Sequence, residues 1–150
     1  MNHILDYVEQ AKAGVTAYGR MPEHQALVYS AESLVASAFP SRALSLDEAR
    51  AYIENVCDIE DIDAPRVEKP AYLNKRFSAC ASRKDYFIAV NGNVSALTLC
   101  HELAHCLTDD GHGEEWRTVF VRLARTHVSV EHGALLYALY SRLNLPVKWN

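Results

Sequence analysis

The segment from Asn93 to Thr108 combines an apolar surface with two histidines and a glutamate. Apolar residues fall on nearly every side of a helix drawn through it: Val94, Leu97, Leu99, Leu103, Ala104 and Leu107. Such a pattern is typical of a helix buried in a protein core. The same helix carries His101-Glu102-Leu-Ala-His105. Burial of two histidines and a glutamate is costly unless they have partners, so the sequence predicts a polar centre inside a folded core.

The spacing of these residues predicts a metal site. His101 and His105 are four residues apart, which places both imidazoles on one helix face, where they can bind one ion. A catalytic zinc takes three protein ligands and a water, whose pKa falls toward ~7. Glu102 is adjacent to the first ligand and can accept a proton from that water. The alternative is that both histidines are hydrogen-bonded core or cleft residues without a metal.

A third ligand is expected after the helix. His112 lies seven residues beyond His105, behind the turn-forming sequence Asp-Asp-Gly, and Trp116 can anchor the following helix in the core. We therefore predict His101, His105 and His112 as the ligands of one Zn²⁺. The alternative is that His112 is an exposed loop residue and that a carboxylate is the third ligand, with these candidates: Asp109, Asp110, Glu114 and Glu115.

The remaining histidines, tyrosines and cysteines have more ordinary expected roles. We expect four histidines to be structural or solvated: His3, His24, His127 and His132. Tyr137 and Tyr140 are expected in the core, since nothing in the sequence places either beside the metal. The cysteine spacing matches neither a zinc ribbon nor a CxxC pair, and small buried thiols are expected at Cys57, Cys80, Cys100 and Cys106.

Composition limits the class of protein. The 150 residues are 49% hydrophobic and 23% charged, close to globular averages. We expect one domain over residues 1–150, with 1–20 as an N-terminal helical extension. No apolar run is long enough to span a bilayer. Asp6 and Glu9 interrupt the stretch that a secretory signal would need, so a cytoplasmic location is expected.

Charge argues against nucleic acid as the main partner. The formal net charge is −4, whereas nucleic-acid binding domains usually carry a broad basic surface. Six basic residues lie close together in the sequence and are expected on solvated loop and strand faces: Arg66, Lys69, Lys75, Arg76, Arg83 and Lys84.

The periodicity predicts helices around a small sheet. Helices are expected over 3–17, from Pro22 to before Pro40, from the capping box Ser45–Glu48, over 93–108 with Asn93 as N-cap, over 114–127 and over 130–143. In the helix over 114–127, Arg117 and Arg125 are expected outside the apolar face. A strand is predicted over 86–90, and weaker strands over 66–72 and 76–81. This order indicates an α+β fold.

The metal motif resembles a known family. HExxH followed by His-Gly-x-x-aromatic, here His101 to His105 and His112 to Trp116, is similar to the SprT-like (Spartan-like) zincin metalloproteases. The resemblance implies a single zincin-like (SprT or minigluzincin-type) α+β domain. Its small, mostly antiparallel sheet would pack on helices, with the HExxH helix in the core. It also implies a metallopeptidase in which Glu102 is the catalytic base and the three histidines bind Zn²⁺.

A second resemblance covers more of the chain. The segments 24–32 and 131–137, together with the metal motif, are similar to an uncharacterised family of metallohydrolases from actinobacteria and their phages. That likeness runs over about residues 22–146 and implies no particular substrate. The loop from His105 to His112 is shorter than in the crosslink-repair proteases, and no cysteine follows Cys106 to form a zinc ribbon. Repair of DNA–protein crosslinks is therefore not implied.

Three functions are compatible with these patterns, and hydrolysis of a non-peptide amide is the third. The first is hydrolysis of peptide or amide bonds in a protein or peptide substrate. In zincins the strand before the metal helix lines the cleft, so residues 85–90 are the candidate for pairing with a bound peptide. The second is a zinc-stabilised protein-binding module without catalysis. Glu102 favours the first, since a structural site needs no carboxylate beside an open coordination position.

Overall fold

The computed structural model describes residues 3–70 and 78–150. Within them the chain forms six α-helices and three β-strands, which confirms the α+β class. The helices are α1 (Ile4–Gly14, extended by a 3₁₀ turn over Val15–Tyr18), α2 (Glu23–Ala38), α3 (Leu46–Glu60), α4 (Ala96–Leu107), α5 (Glu114–His127) and α6 (Val130–Arg142). The strands are β1 (Arg66–Glu68), β2 (Ala79–Ser82) and β3 (Phe87–Val90).

The chain divides into two compact parts. The helical unit comprises Met1–Pro40 and His112–Asn150, and the sheet unit comprises Ser41–Gly111. The assignment of residues 1–150 to one zincin-like domain, with 1–20 as an extension, stays a prediction. No helix in the described residues is both long enough and apolar enough to cross a membrane.

Helix ends follow local signals in the sequence, with one exception. The predicted capping box is confirmed: the Glu48 backbone N–H donates to Ser45 Oγ at 3.2 Å, and the Ser45 N–H donates to the Glu48 carboxylate at 3.0 Å. The prediction of Asn93 as the cap of α4 is wrong, because Ser95 has that role and accepts from the Thr98 N–H at 3.1 Å. Backbone pairing of Val94 with Leu44 keeps the chain extended up to that point.

The helical unit is built from α1, α2, α5 and α6. Its largest buried side chains come from α5 and α6 and are Trp116, Phe120, Leu123, Leu136, Leu139 and Tyr140. The helices approach closely at Gly133, where an added Cβ would lie 2.4 Å from Arg125 Cβ and 2.7 Å from Arg125 Cα. Glycine therefore sets the distance between α5 and α6.

Arg117 does not follow the sequence prediction. It was expected outside the apolar face of α5, but only 5% of the residue is exposed. The backbone carbonyls of His112 and Pro146 accept hydrogen bonds from its guanidinium. These hydrogen bonds offset the cost of burying the charge. Helical periodicity could not predict this, because the acceptors lie outside α5.

The sheet unit holds a mixed three-stranded sheet in the order β1-β3-β2. β1 is parallel to β3, with Val67 opposite Ile88, and β2 is antiparallel to β3, with Cys80 opposite Ala89. The expectation of a mostly antiparallel sheet is therefore wrong for the described strands. It failed because β1 does not pair with β2, its neighbour in sequence, but lies on the other side of β3.

The central position of β3 also corrects the predicted peptide-binding strand. Residues 87–90 pair with β2 and residues 87–89 pair with β1, so both edges of this strand are occupied and a peptide cannot be added to it. The strand itself confirms the prediction over 86–90. β1 falls within the weaker prediction over 66–72, and β2 overlaps the one over 76–81 but ends one residue beyond it, at Ser82. The portions of both predictions in 71–77 lie outside the described residues.

The helix α4 is the core element of the sheet unit. It packs against β2, β3 and α3, and Leu99, Leu103 and Ala104 are fully buried. The expected burial of this helix is confirmed. His101 and Glu102 consequently have little access to solvent, whereas His105 is partly exposed.

Candidate metal centre

Helix α4 brings His101, Glu102 and His105 together. Their relative exposures are 4% for His101 and 7% for Glu102, and His105 is half-buried. Because the helix is packed on the sheet and on α3, the two imidazoles project from a fixed backbone. A site on a regular element is held more precisely than a site on a loop.

The two imidazoles face each other through the nitrogens that a metal would use. His101 Nε2 lies 3.2 Å from His105 Nε2. Zinc–nitrogen bonds of about 2.0–2.1 Å at a tetrahedral angle place two ligand nitrogens about 3.3 Å apart. The separation fits adjacent ligands of one tetrahedral ion, and it also fits a direct hydrogen bond between the two rings in the metal-free protein.

The charge state of His105 also suits a ligand. Burial, with a smaller contribution from the neighbouring His101, lowers the pKa of His105 from 6.5 to about 4, and Asp110 opposes this shift. The ring is therefore neutral at pH 7. A metal ligand must offer an unprotonated nitrogen, which His105 does near neutral pH.

Glu102 lies beside the ligand nitrogens. Its Oε1 is 4.0 Å from His101 Nε2. The carboxylate also raises the pKa of two neighbouring thiols, in each case as a smaller contribution than burial, and burial with Glu102 brings the pKa of Cys106 to about 12. Glu102 is thus a buried carboxylate close to the imidazole of His101.

His112 joins the pair. Ligand atoms of His101, His105 and His112 all lie within 4.8 Å of one another, close enough to bind one metal ion. Among the described residues no cysteine or carboxylate belongs to this group, so the carboxylates weighed as alternatives to His112 are not part of it. Three histidines are a known ligand set for catalytic zinc, with the fourth position open.

The surroundings of His112 hold it at the start of α5. Its ring makes edge contacts with Trp116, at a centroid distance of 4.6 Å, and with Tyr29 of α2, at 5.0 Å. Its carbonyl accepts a hydrogen bond from Arg117. The predicted anchoring role of Trp116 agrees with its complete burial. Tyr29 and Arg117 were not predicted, because neither helical spacing nor a motif links them to His112.

The other histidines are outside the group. His132 is buried, with Nδ1 2.6 Å from Ser129 Oγ and Nε2 3.0 Å from the Phe39 carbonyl. His3 caps α1, accepting from the Leu5 N–H, and His24 is exposed on α2. The expectation of structural or solvated roles holds for these three, and His127 ends α5.

The cysteines and tyrosines agree with expectation except at two positions. Cys57, Cys100 and Cys106 are buried free thiols, but Cys80 is exposed on β2, so the expectation of burial is wrong there. β2 pairs with β3 along one side, and the outward-facing residues of such a strand meet solvent. Tyr140 is fully buried, as predicted, whereas Tyr137 is half-buried and contacts Trp149.

Comparisons with known proteins add no relative. No protein-family model, no curated protein and no solved structure matches this chain.

Proposed function

We propose that this protein is a zinc-dependent metallopeptidase-like hydrolase that cleaves peptide or related amide bonds. The observation that carries the proposal is the group of three histidine ligand atoms within 4.8 Å of one another, with a buried carboxylate beside it. Imidazole nitrogens suit zinc, and three of them leave a coordination position open.

Metal binding and proton transfer are assigned to different residues. His101, His105 and His112 would hold the ion, which when bound supplies Lewis acidity. Glu102 accepts a proton from the attacking water while the oxygen of that water adds to the amide carbon. The same carboxyl then donates that proton to the departing nitrogen as the carbon–nitrogen bond breaks.

Two features favour catalysis over a purely structural role. A structural zinc site is closed by four protein ligands, whereas the group contains three among the described residues. His105 and His112 are only half-buried, so both side chains are partly accessible to solvent. A zinc-stabilised binding module needs neither this access nor a carboxylate in the position of Glu102.

The resemblance to SprT-like zincins supports the same proposal. In this proposal the fold is zincin-like, the substrate is a protein or peptide, and the reaction takes place in the cytoplasm. Because β3 is central, peptide pairing is better assigned to β2, whose partner among the described strands lies on one side only. The net charge of −4 does not favour nucleic acid as the substrate.

The proposal is tested by metal analysis and peptide cleavage together. Wild-type protein purified without added metal should contain about one zinc per chain, and H112A should lose most of it, because the two remaining histidines bind zinc more weakly. E102Q should keep the zinc but lose about 10²- to 10⁴-fold in cleavage rate on a peptide library. H24A and E131Q, which change exposed residues outside the group, are the matched controls and should behave as wild type.

Each result separates the candidate functions. Zinc in the wild type together with cleavage that E102Q abolishes supports the hydrolase. A folded, zinc-loaded wild type that cleaves nothing, with E102Q indistinguishable from it, favours the binding module. A folded wild type that takes up no zinc at micromolar concentration contradicts both functions.

A further inference from the structure

Arg117 is the most deeply buried cation described in the chain. Its 5% exposure contrasts with its location on α5, a helix with exposed residues available for a charge. Burial of an unpaired guanidinium is strongly unfavourable. Its retention in the core therefore requires partners, and those partners indicate what the residue does.

The guanidinium of Arg117 bridges two separate segments of backbone. Nη1 donates to the His112 carbonyl at 2.5 Å, and Nε donates to the Pro146 carbonyl at 3.0 Å. The backbone N–H of the same residue donates to the Gly113 carbonyl at 2.9 Å. Arg117 therefore engages both residues that lead into α5, including the third histidine of the metal group.

The segment at the other end of the bridge is itself fixed. The Lys148 N–H donates to Thr118 Oγ1 at 3.0 Å, and Leu145 is buried with 6% exposure. Pro146 lies between these two anchors and offers Arg117 a stationary acceptor. The donors of the planar guanidinium have a fixed geometry. Arg117 can thus hold the His112 carbonyl at a set distance from the Pro146 carbonyl.

The buried Tyr140 hydroxyl of the same unit feels charges of both signs, one of them that of Arg117. Burial is the main cause that raises the pKa of the Tyr140 hydroxyl; Glu32 raises it further and Arg117 lowers it. Both charges therefore act on one buried hydroxyl. The ring of His112 is held independently, by its edge contacts with Tyr29 and Trp116.

We propose that Arg117 is a positioning residue for the metal centre: it fixes the backbone of His112 against the C-terminal segment, so that the third ligand is in place before the ion binds. The proposal rests on the proposed function, because it requires that His112 be a ligand. Residues that orient a metal ligand typically contribute 10- to 100-fold to metal affinity.

The test measures zinc affinity by competition with a chromophoric chelator. R117M removes both donors and should weaken zinc binding by about 10- to 100-fold. R117K keeps the charge but has no planar fork, and it should weaken binding less. R125K is the control on the same helix: the Arg125 guanidinium stacks on Trp149, at 4.2 Å from the ring centroid, and its replacement should leave affinity unchanged.

A double-mutant cycle separates positioning from general loss of packing. If Arg117 acts through His112, then R117M should not weaken zinc binding further in the H112A background. Cobalt(II) absorption in the visible region should likewise change on R117M in the wild-type background and not in H112A. Each metal-free variant is measured where circular dichroism shows it folded, and R117K replaces R117M in the cycle if R117M does not fold.

The outcomes distinguish this proposal from the proposed function. If R117M and R117K bind zinc as tightly as the wild type, Arg117 has no positioning role. The role is also overturned if R117M loses the same affinity in the wild-type and H112A backgrounds. Either result leaves the proposed metal site itself intact. A wild type that binds no zinc overturns the proposed function itself.

Discussion

Replacement of Gly133 by alanine adds one methyl group where α6 packs closely against α5. The added Cβ would lie 2.4 Å from Arg125 Cβ, 2.7 Å from its Cα and 2.9 Å from its backbone nitrogen. Carbon atoms in contact are about 3.5–4.0 Å apart. Two of the three neighbours are backbone atoms, so a change of side-chain rotamer cannot relieve the overlap and the helices must separate by about 1 Å.

The expected magnitude combines two effects of opposite sign. In an open helix, replacement of glycine by alanine stabilises by about 1 kcal/mol. Overpacking a well-filled interface costs about 1–3 kcal/mol, and the backbone clash places this case at the upper end. We therefore expect a net destabilisation of about 2 kcal/mol, which for a chain of this size lowers Tm by roughly 6 °C.

Urea denaturation of G133A and wild type, followed by circular dichroism, measures this difference directly. A134G on the same helix is the matched control, since Ala134 is exposed and its loss should cost about 1 kcal/mol through helix propensity alone. An unfolding midpoint for G133A equal to or above that of wild type would refute the close helix packing.

Three further predictions concern individual polar side chains. The Tyr140 hydroxyl is buried with no hydrogen-bond partner among the described residues, so Y140F should stabilise by about 1 kcal/mol; a loss of stability on urea denaturation would reveal a partner. Ellman's reagent should label only Cys80 rapidly in the native protein and all four thiols after denaturation, because the other three are buried; a C80S variant with a rapidly reacting thiol would contradict this. The pKa of His105 is lowered to about 4 in the folded protein, so the unfolded chain binds this proton at a higher pH. The metal-free protein should therefore lose stability as pH falls from about 6.5 to about 4. H105Q should lose less stability over this range, and an equal loss in H105Q and wild type would contradict the shift.

Much of the helical framework could be predicted because its signals are local. The capping box at Ser45, Pro22 before α2 and the apolar spacing of α5 each act within a few residues. Helices α2 and α5 are confirmed close to both predicted ends, and α3 is confirmed at its predicted start. The grouping of His101, His105 and His112 also depends on short separations: one helix turn and a seven-residue step.

The features that could not be predicted depend on partners distant in sequence. The start of α4 at Ala96 follows from the pairing of Val94 with Leu44, and the parallel pairing of β1 with β3 skips the intervening strand. Arg117 is buried because a carbonyl 29 residues away accepts its hydrogen bond. Periodicity describes one element at a time, so such contacts leave no pattern within it.

X-ray absorption at the zinc edge of the wild-type protein tests the three-histidine site most directly. We expect three imidazole nitrogens and one further oxygen or nitrogen at about 2.0–2.1 Å from the ion, and one fewer imidazole in any zinc retained by H112A. A sulfur neighbour at about 2.3 Å would assign the ion to a cysteine. That result, or an unchanged spectrum in H112A, would contradict the proposed centre.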